Sequence, residues 1–422
     1  MKKALMILLA VIFCLSFSAC TPGVGGGTDR TAAPEGSMGP ETMEACEGWN
    51  FDNRLGNGID SVIETADAYY YNGPRGRFIY YYDKASGISG VLCGKPECVH
   101  DAIPENHDCN GYAYIIGKVA YWGGRLRFLT LALGTDEGCA IMSMKPDGTD
   151  RRVDTYTSAM IGDVYYTPLY MDFHRGMYYC CDTVEIVDDG VPTYETCIFT
   201  IDPETGEIKK LYSTDSAYQD PSLFYYGKYV YFYLGRIEES KNGDRVTLIE
   251  LRRYDTETKE IEDVFISPED GSLGSRMNIW VESEDLIYIM PNSLQEGEPF
   301  KLYKLENGKL SAVVTFDTEG SGAIVGGAAF VGYPNERTME IRRFDGSLIY
   351  EGEWKLDLLS ELGSGAEASY HVSSVYGDEN ELFIGMMLWR QSEKDPMSFC
   401  LLKYDLTGGE PQATVLCYDP RN

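Results

Sequence analysis

Basic side chains and histidine are scarce in this chain of 422 residues. Its 36 Lys and Arg stand against 66 Asp and Glu, giving a formal net charge of −30, and there are 4 His. So acidic a surface repels nucleic-acid phosphates and anionic headgroups, which excludes nucleic acid as a partner. So few imidazoles leave little material for a multi-histidine metal centre or for imidazole-based catalysis. After the first 20 residues no apolar run reaches 18 residues, so nothing further along reads as a membrane-crossing helix. Catalytic signatures are missing as well. There is no G-x-S-x-G, and Gly363-Ser-Gly365 reads as a loop. Gly111 to Lys118 has the wrong glycine spacing and is followed by Val119, so it fails as a phosphate loop. The glycines between Gly23 and Gly27 follow no strand and make no dinucleotide site. With 66 carboxylates, no acid pair can be singled out for glycoside hydrolysis. His174, in the turn Phe173-His-Arg-Gly176, reads as exposed and non-catalytic, and His371 as an anonymous strand residue.

What the chain does have begins at its N-terminus. Met1-Lys2-Lys3 is basic, Ala4 to Phe17 is apolar, and Ser18-Ala19-Cys20 follows. The run is too short to span about 30 Å of hydrocarbon and ends in small residues, as a cleaved signal does. A Cys directly after the small pair resembles a bacterial lipobox, with Phe17 where that pattern usually has Leu. That resemblance makes residues 1–19 a signal peptide and Cys20 the lipidated first residue of the mature chain. Residues 20–45, rich in Gly, Pro and Thr, read as a flexible tether. The expected location is the extracytoplasmic face of the cytoplasmic membrane, held by lipid.

From about residue 60 one unit recurs: strand, tight turn, aromatic strand, variable loop, strand, Gly or Asp turn, strand. First turns fall near Asp67, Gly123, Arg175, Gly227, Ser283, Gly327 and Asp378. The last turns are as regular, from Lys84-Ala-Ser-Gly87 and Pro146-Asp-Gly148 through Phe344-Asp-Gly346 to Leu406-Thr-Gly-Gly409. Gly and Asn supply the positive φ that such hairpins need. Phe78-Ile-Tyr-Tyr-Tyr82 and Tyr229-Val-Tyr-Phe-Tyr233 are β-branched and aromatic, as strands are. A period near 50 with four short strands is the signature of propeller blades. The expected fold is therefore all-β: a single β-propeller over residues 46–422 with seven four-stranded blades, six or eight being the neighbouring counts. One helix is expected, Lys355 to Glu361, between units five and six.

Ile141-Met-Ser-Met-Lys-Pro-Asp-Gly-Thr-Asp-Arg-Arg152 resembles the third-strand, turn and fourth-strand motif of TolB-like and WD40-like bacterial propellers, with Phe344-Asp-Gly-Ser-Leu348 a weaker copy. Together with the anchored N-terminus, Leu92-Cys-Gly-Lys-Pro-Glu-Cys-Val-His100 resembles a group of uncharacterised propeller lipoproteins of Gram-positive bacteria. The resemblance covers roughly residues 60–418. It implies a fold and a location and carries no catalytic residues.

The cysteines offer three chemistries. An extracytoplasmic location permits disulfides. If Gly408-Gly409 is a two-residue turn, Cys400 lies opposite Cys417, and a bridge is expected there; Cys181 and Cys197 flank another hairpin loop and form a second candidate pair. In an insertion at 93–110, Cys93, Cys98, His100 and Cys109 offer three thiols and an imidazole. The alternatives are a disulfide staple, a closed structural zinc or iron site, and reduced thiols; otherwise no cofactor is implied. Most of the 32 Tyr are expected to pack between blades. Trp122 and Trp389, near turn or loop ends, are candidates for a ligand face. The long second-to-third loops, 183–194, 235–245, 291–299 and 390–396, share one face and are where recognition is expected. The inner strands read as apolar or mixed. These features point to a surface lipoprotein that binds or scaffolds a protein or a cell-wall glycan. An extracytoplasmic polysaccharide lyase or hydrolase is the alternative, and metal or redox sensing through residues 93–109 a third class.

Overall fold

The computed structural model of the protein describes residues 48–57, 60–72, 78–100, 109–113, 115–131, 138–158, 160–162, 164–166, 171–188, 191–215, 222–239, 245–268, 273, 277–291, 299–316, 321–333, 337–361, 369–389 and 398–419. The segments expected to be a signal peptide and a tether, with Cys20 and Cys46, lie outside the described residues. No described helix is long and apolar enough to cross a membrane.

Seven antiparallel blades follow one another along the chain, each built from four consecutive strands, the short strand Gly56–Asn57 adding to the first strand of blade 1. Blade 1 runs from Asp60–Glu64 to Ser89–Val91, blade 2 from Ile115–Trp122 to Arg152–Thr157, and blade 3 from Asp172–His174 to Ile208–Thr214. Blade 4 runs from Leu223–Tyr226 to Ile261–Ile266 and blade 5 from Met277–Ser283 to Lys309–Thr315. Blade 6 runs from Ser321–Val325 to Leu348–Glu353, and blade 7 from Ser369–Gly377 to Gln412–Asp419. First strands of neighbouring blades meet, which makes them the innermost layer of the ring. The helix Asp357–Glu361 lies between blades 6 and 7, one unit later than the sequence suggested.

A blade can bury its two faces against its neighbours alone, so the core is divided. Seven clusters each join two successive blades. Tyr178, Tyr225, Tyr231, Tyr376 and Tyr404 are fully buried in them, so these rings serve packing. Each such side chain contributes about 1.5–3 kcal/mol of burial. Among the described residues, blade 7 closes on blade 1 without sharing a strand. Tyr71 stacks on Phe399 (centroids 5.3 Å apart), Tyr69 meets Phe383 edge-on (5.6 Å), and Lys403 donates to the Tyr69 hydroxyl at 2.8 Å.

The turns between third and fourth strands share a device. Asp83, Asp147, Asp202, Asp255, Asp345 and Asp405 each accept a backbone N–H two or three residues on, at 2.6–2.9 Å. The carboxylate thus replaces a backbone acceptor and fixes the turn. Gly206 in one of these turns has φ +72°, and a Cβ there would lie 1.8 Å from the Tyr156 carbonyl oxygen of blade 2. Glycine is required at that seam by both conformation and space.

Two registers overturn the expected disulfides. In blades 2 to 7 the third and fourth strands slip by one residue, in blade 7 between Leu401 and Leu402. The pairing counted back from the Gly408-Gly409 turn holds as far as Leu402 opposite Val415; past the bulge, Cys417 faces Leu401 and Cys400 faces Tyr418. Cys400 therefore sits in the core between blades 6 and 7, and Cys417 in that between blades 7 and 1. A bulge raises the local twist that an outermost strand needs, and here it sends the two thiols to opposite faces. Cys181 faces Ile198 and Cys197 faces Asp182, an offset of one that also puts these thiols on opposite faces. Neither pair forms a disulfide.

Candidate functional site

Residues 48–57 form a strap across the first-turn face of the ring. Gly48 (φ +82°) lies so close to Tyr121 of blade 2 that a Cβ would come 1.8 Å from its carbonyl oxygen. Arg175 N–H of blade 3 donates to the Trp49 carbonyl at 2.7 Å, and Phe51 N–H donates to His174 Nδ1 at 3.1 Å. Asn53 Nδ2 donates to the Tyr225 carbonyl of blade 4 at 2.6 Å and its Oδ1 accepts the Tyr225 N–H at 3.1 Å. Arg54 then reaches Asp378 (3.3 Å) and Glu381 (3.0 Å) of blade 7 and Glu64 (3.4 Å) of blade 1. His174 is 1% exposed, not the turn-surface residue the sequence suggested. Burial and then the Arg175 charge push its pKa down to about 3, against a smaller upward pull from the Gly227 backbone.

Beneath the strap lies a cavity of about 290 Å³, lined in part by Phe51, Leu55, Val62, Val119 and Asp172. The inner strands are more polar here than their sequences suggested. Lys118 Nζ of blade 2 lies 2.6 Å from Asp172 Oδ1 of blade 3, and both side chains are under 5% exposed. The Tyr225 hydroxyl of blade 4 donates to Asp172 Oδ2 at 3.1 Å, and the Lys118 ammonium sits 5.3 Å from the Phe51 ring centre. Lys118 projects here because the first two strands of blade 2 lose register between Ile116 and Ala120. Charges do converge from two inner strands, then, but they neutralise each other with both side chains buried.

The cysteine cluster forms at the junction of blades 1 and 2. Cys93, Cys98, His100 and Cys109 bring one ligand atom each within 4.8 Å of the others, Cys109 Sγ and His100 Nδ1 being 3.6 Å apart. As expected, the described part of the insertion adds no named strand. It docks on the last turn of blade 2: Asn110 Nδ2 donates to the Gly148 carbonyl at 2.6 Å, and Gly94 N–H points to the same oxygen. Arg151 donates to the carbonyls of Cys109, Asn110 and Tyr112. Burial alone would raise the Cys93 thiol. The Lys95 and Asn110 N–H groups and the Cys109 and Cys98 thiols bring it below the ordinary range. Burial, Cys98 and the nearby Cys93 charge push Cys109 up to about 12.

Trp122 is a core residue, which corrects its assignment to a ligand face. It is 6% exposed, stacks on Phe173 at 4.4 Å and carries the Arg127 guanidinium 3.9 Å above its ring. Trp389 ends the second strand of blade 7, opposite Ser369; its side chain lies outside the described residues. Two of the expected recognition loops are strands instead. Met177–Asp188 pairs with Val191–Ile201 throughout, and Tyr229–Glu239 with Arg245–Asp255, so blades 3 and 4 carry long hairpin arms. The fourth strand of blade 3 stops opposite Thr196, leaving the paired residues 184–188 and 191–195 beyond it. On that arm Tyr194 is 54% exposed and its hydroxyl donates to Glu185 at 3.2 Å. The segments 292–298 and 390–397 lie outside the described residues. In an antiparallel blade the first and last turns share one end, so the arms project from the face opposite the strap.

Fold and sheet order define the class, a seven-bladed β-propeller. No protein-family model and no curated protein matches the chain. Among solved structures it is similar to a puromycin-hydrolyzing peptidase of Mycobacterium tuberculosis (TM-score 0.47, 11% identity, 86% of this chain and 54% of that one). The chain thus spans about half the length of that peptidase. It is also similar to the WD40 domain of SCAP from fission yeast (TM-score 0.35, 10% identity, 89% of this chain and 90% of that one). A third is an α-L-arabinanase of Penicillium chrysogenum (TM-score 0.37, 10% identity, 67% of this chain and 90% of that one). At such identities the likeness concerns the fold alone.

Proposed function

We propose that this chain is a lipid-anchored propeller on the outer face of the cytoplasmic membrane, working as a binding module for a protein or a cell-wall glycan. The observation that supports the reading most is the pair of hairpin arms on adjacent blades 3 and 4. Past their roots at Val184 and Leu248, which still pack on the blades, strands that continue beyond their outer neighbours are not needed to fill the blade, so their length serves something outside the ring. Residues 48–57 lie on the first-turn face, and the arms rise from the other. Tyr194 with Glu185 offers an amphipathic contact suited to either ligand class. The alternative, a lyase or hydrolase at the channel, needs an acid that can meet solvent and substrate. Of the carboxylates lining the cavity, Asp172 is instead held by Lys118 and Tyr225 beneath the strap, Glu64 is paired with Lys84 and Arg54, and Asp52 with Arg54.

Two measurements test this. Replacing residues 185–194 and 237–247 with two-residue turns, which spares the buried Leu248 and Ile249, should remove capture of purified wall fragments or surface protein by the full chain while leaving the thermal transition in place. Undiminished capture rejects the arms as the recognition surface. Cys20→Ser should move the protein from the membrane fraction to the medium on cell fractionation; continued membrane association rejects the lipid anchor.

A further inference from the structure

We propose that Cys93, Cys98, His100 and Cys109 bind one zinc ion in a closed tetrahedral shell that staples the blade 1 insertion to blade 2. The geometry carries the inference. Zinc takes thiolate at about 2.3 Å and imidazole nitrogen at about 2.0–2.1 Å, so tetrahedral donors lie roughly 3.5–3.8 Å apart. The Cys109 Sγ to His100 Nδ1 separation is 3.6 Å, and all four donor atoms fall within 4.8 Å of one another. Three thiols have thus been gathered without any disulfide among them.

The surroundings are built as those of a metal site are. Backbone N–H groups of Lys95 and Asn110 lie beside the Cys93 sulfur and those of Gly111 and Tyr112 beside the Cys109 sulfur, the Tyr112 N–H also donating to the Cys109 carbonyl at 3.2 Å. Such N–H donors satisfy a metal-bound thiolate and fix its direction. His100 adopts φ +51°, a left-handed conformation uncommon outside glycine, as it turns its ring toward the three sulfurs. Arg151 grips the carbonyls of Cys109, Asn110 and Tyr112, bringing a positive charge beside a shell that three thiolates and one Zn²⁺ would leave at −1. As the metal binds, each thiol still protonated gives its proton to solvent. Four protein ligands leave no open position, so the ion is structural. This inference goes beyond the proposed binding role and is independent of it: a failure of the arms leaves the metal site untouched.

The test uses the full chain, detergent-solubilised and purified with its thiols kept reduced. Elemental analysis should find stoichiometric zinc, and cobalt substitution should give the intense visible bands of a tetrahedral thiolate site. His100→Ala and Cys98→Ser alter half-buried positions, so the fold should survive, and each should weaken zinc retention against a chelator by more than about tenfold. Folded protein with reduced thiols and no bound metal overturns the proposal. So does a disulfide between any two of the three cysteines, found by mass spectrometry of unreduced protein. Iron in place of zinc at equal occupancy overturns the choice of metal.

Discussion

Lys118→Met should lower the unfolding free energy by about 3–5 kcal/mol, the cost of leaving a buried carboxylate without its counter-charge. Asp172 is 4% exposed, and after the substitution its remaining polar contact among those described is the Tyr225 hydroxyl. A surface ion pair would contribute at most about 1 kcal/mol, so the size of the loss separates the two situations. Replacing both partners, Lys118→Met with Asp172→Leu, should restore most of the stability, because neither fully buried charge is then left to desolvate without its partner. Guanidinium unfolding of the single and double variants measures both. A single variant within about 1 kcal/mol of the parent would show that water reaches the pair and that the channel is open.

Acid should loosen the strap in a window set by His174. Nδ1 accepts the Phe51 N–H, so protonating it sets two donors face to face. The charged and polar neighbours are Arg175, which opposes protonation and is itself paired with Glu257, and the rings of Tyr179 and Tyr225. In the unfolded chain histidine titrates near 6.5, while in the folded protein His174 is held down to about 3. Between those values the unfolded state binds the extra proton. Stability is therefore complete above pH 6.5 and falls by about 1.4 kcal/mol per unit below it, or about 2 kcal/mol by pH 5. Carboxylates held low, such as Asp255 at about 2, lose their contribution at lower pH, so the upper window reports the histidine. His174→Gln can still accept the Phe51 N–H, and its unfolding midpoint should be flat from pH 6.5 to 5. If the variant keeps the parent's slope, the pH response belongs to other groups.

Blade number and order were legible because each unit ends in a turn whose Asp or Gly does local chemistry, as Asp202 and Gly206 do, and local chemistry repeats visibly along a chain. The gathering of Cys93, Cys98, His100 and Cys109 was legible for a related reason: all four lie in one insertion. What the sequence hid depends on relations between blades. Lys118, Asp172 and Tyr225 come from three different inner strands, and each alone reads as an ordinary strand residue. Cys400 and Cys417 were misjudged because hairpin counting assumes an unbroken ladder, whereas the bulge at Leu401/Leu402 answers to the twist of the whole sheet. Trp122 sits beside a turn and so suggested exposure, yet Phe173 from the next blade covers it. The long arms of blades 3 and 4 looked like loops because charge and Gly interrupt their β-branched residues, and strand pairing decided otherwise.

The absence of a shared strand between the first and last blades has a consequence for how the protein matures. Partners such as Tyr69 and Lys403 stand 334 residues apart, so the aromatic flank of blade 1 waits uncovered until nearly the whole chain has emerged. Contacts that distant form late and slowly. Truncation within the final forty residues should therefore yield an open, sticky crescent, Tyr69, Tyr71 and Tyr80 facing solvent where the missing module belongs.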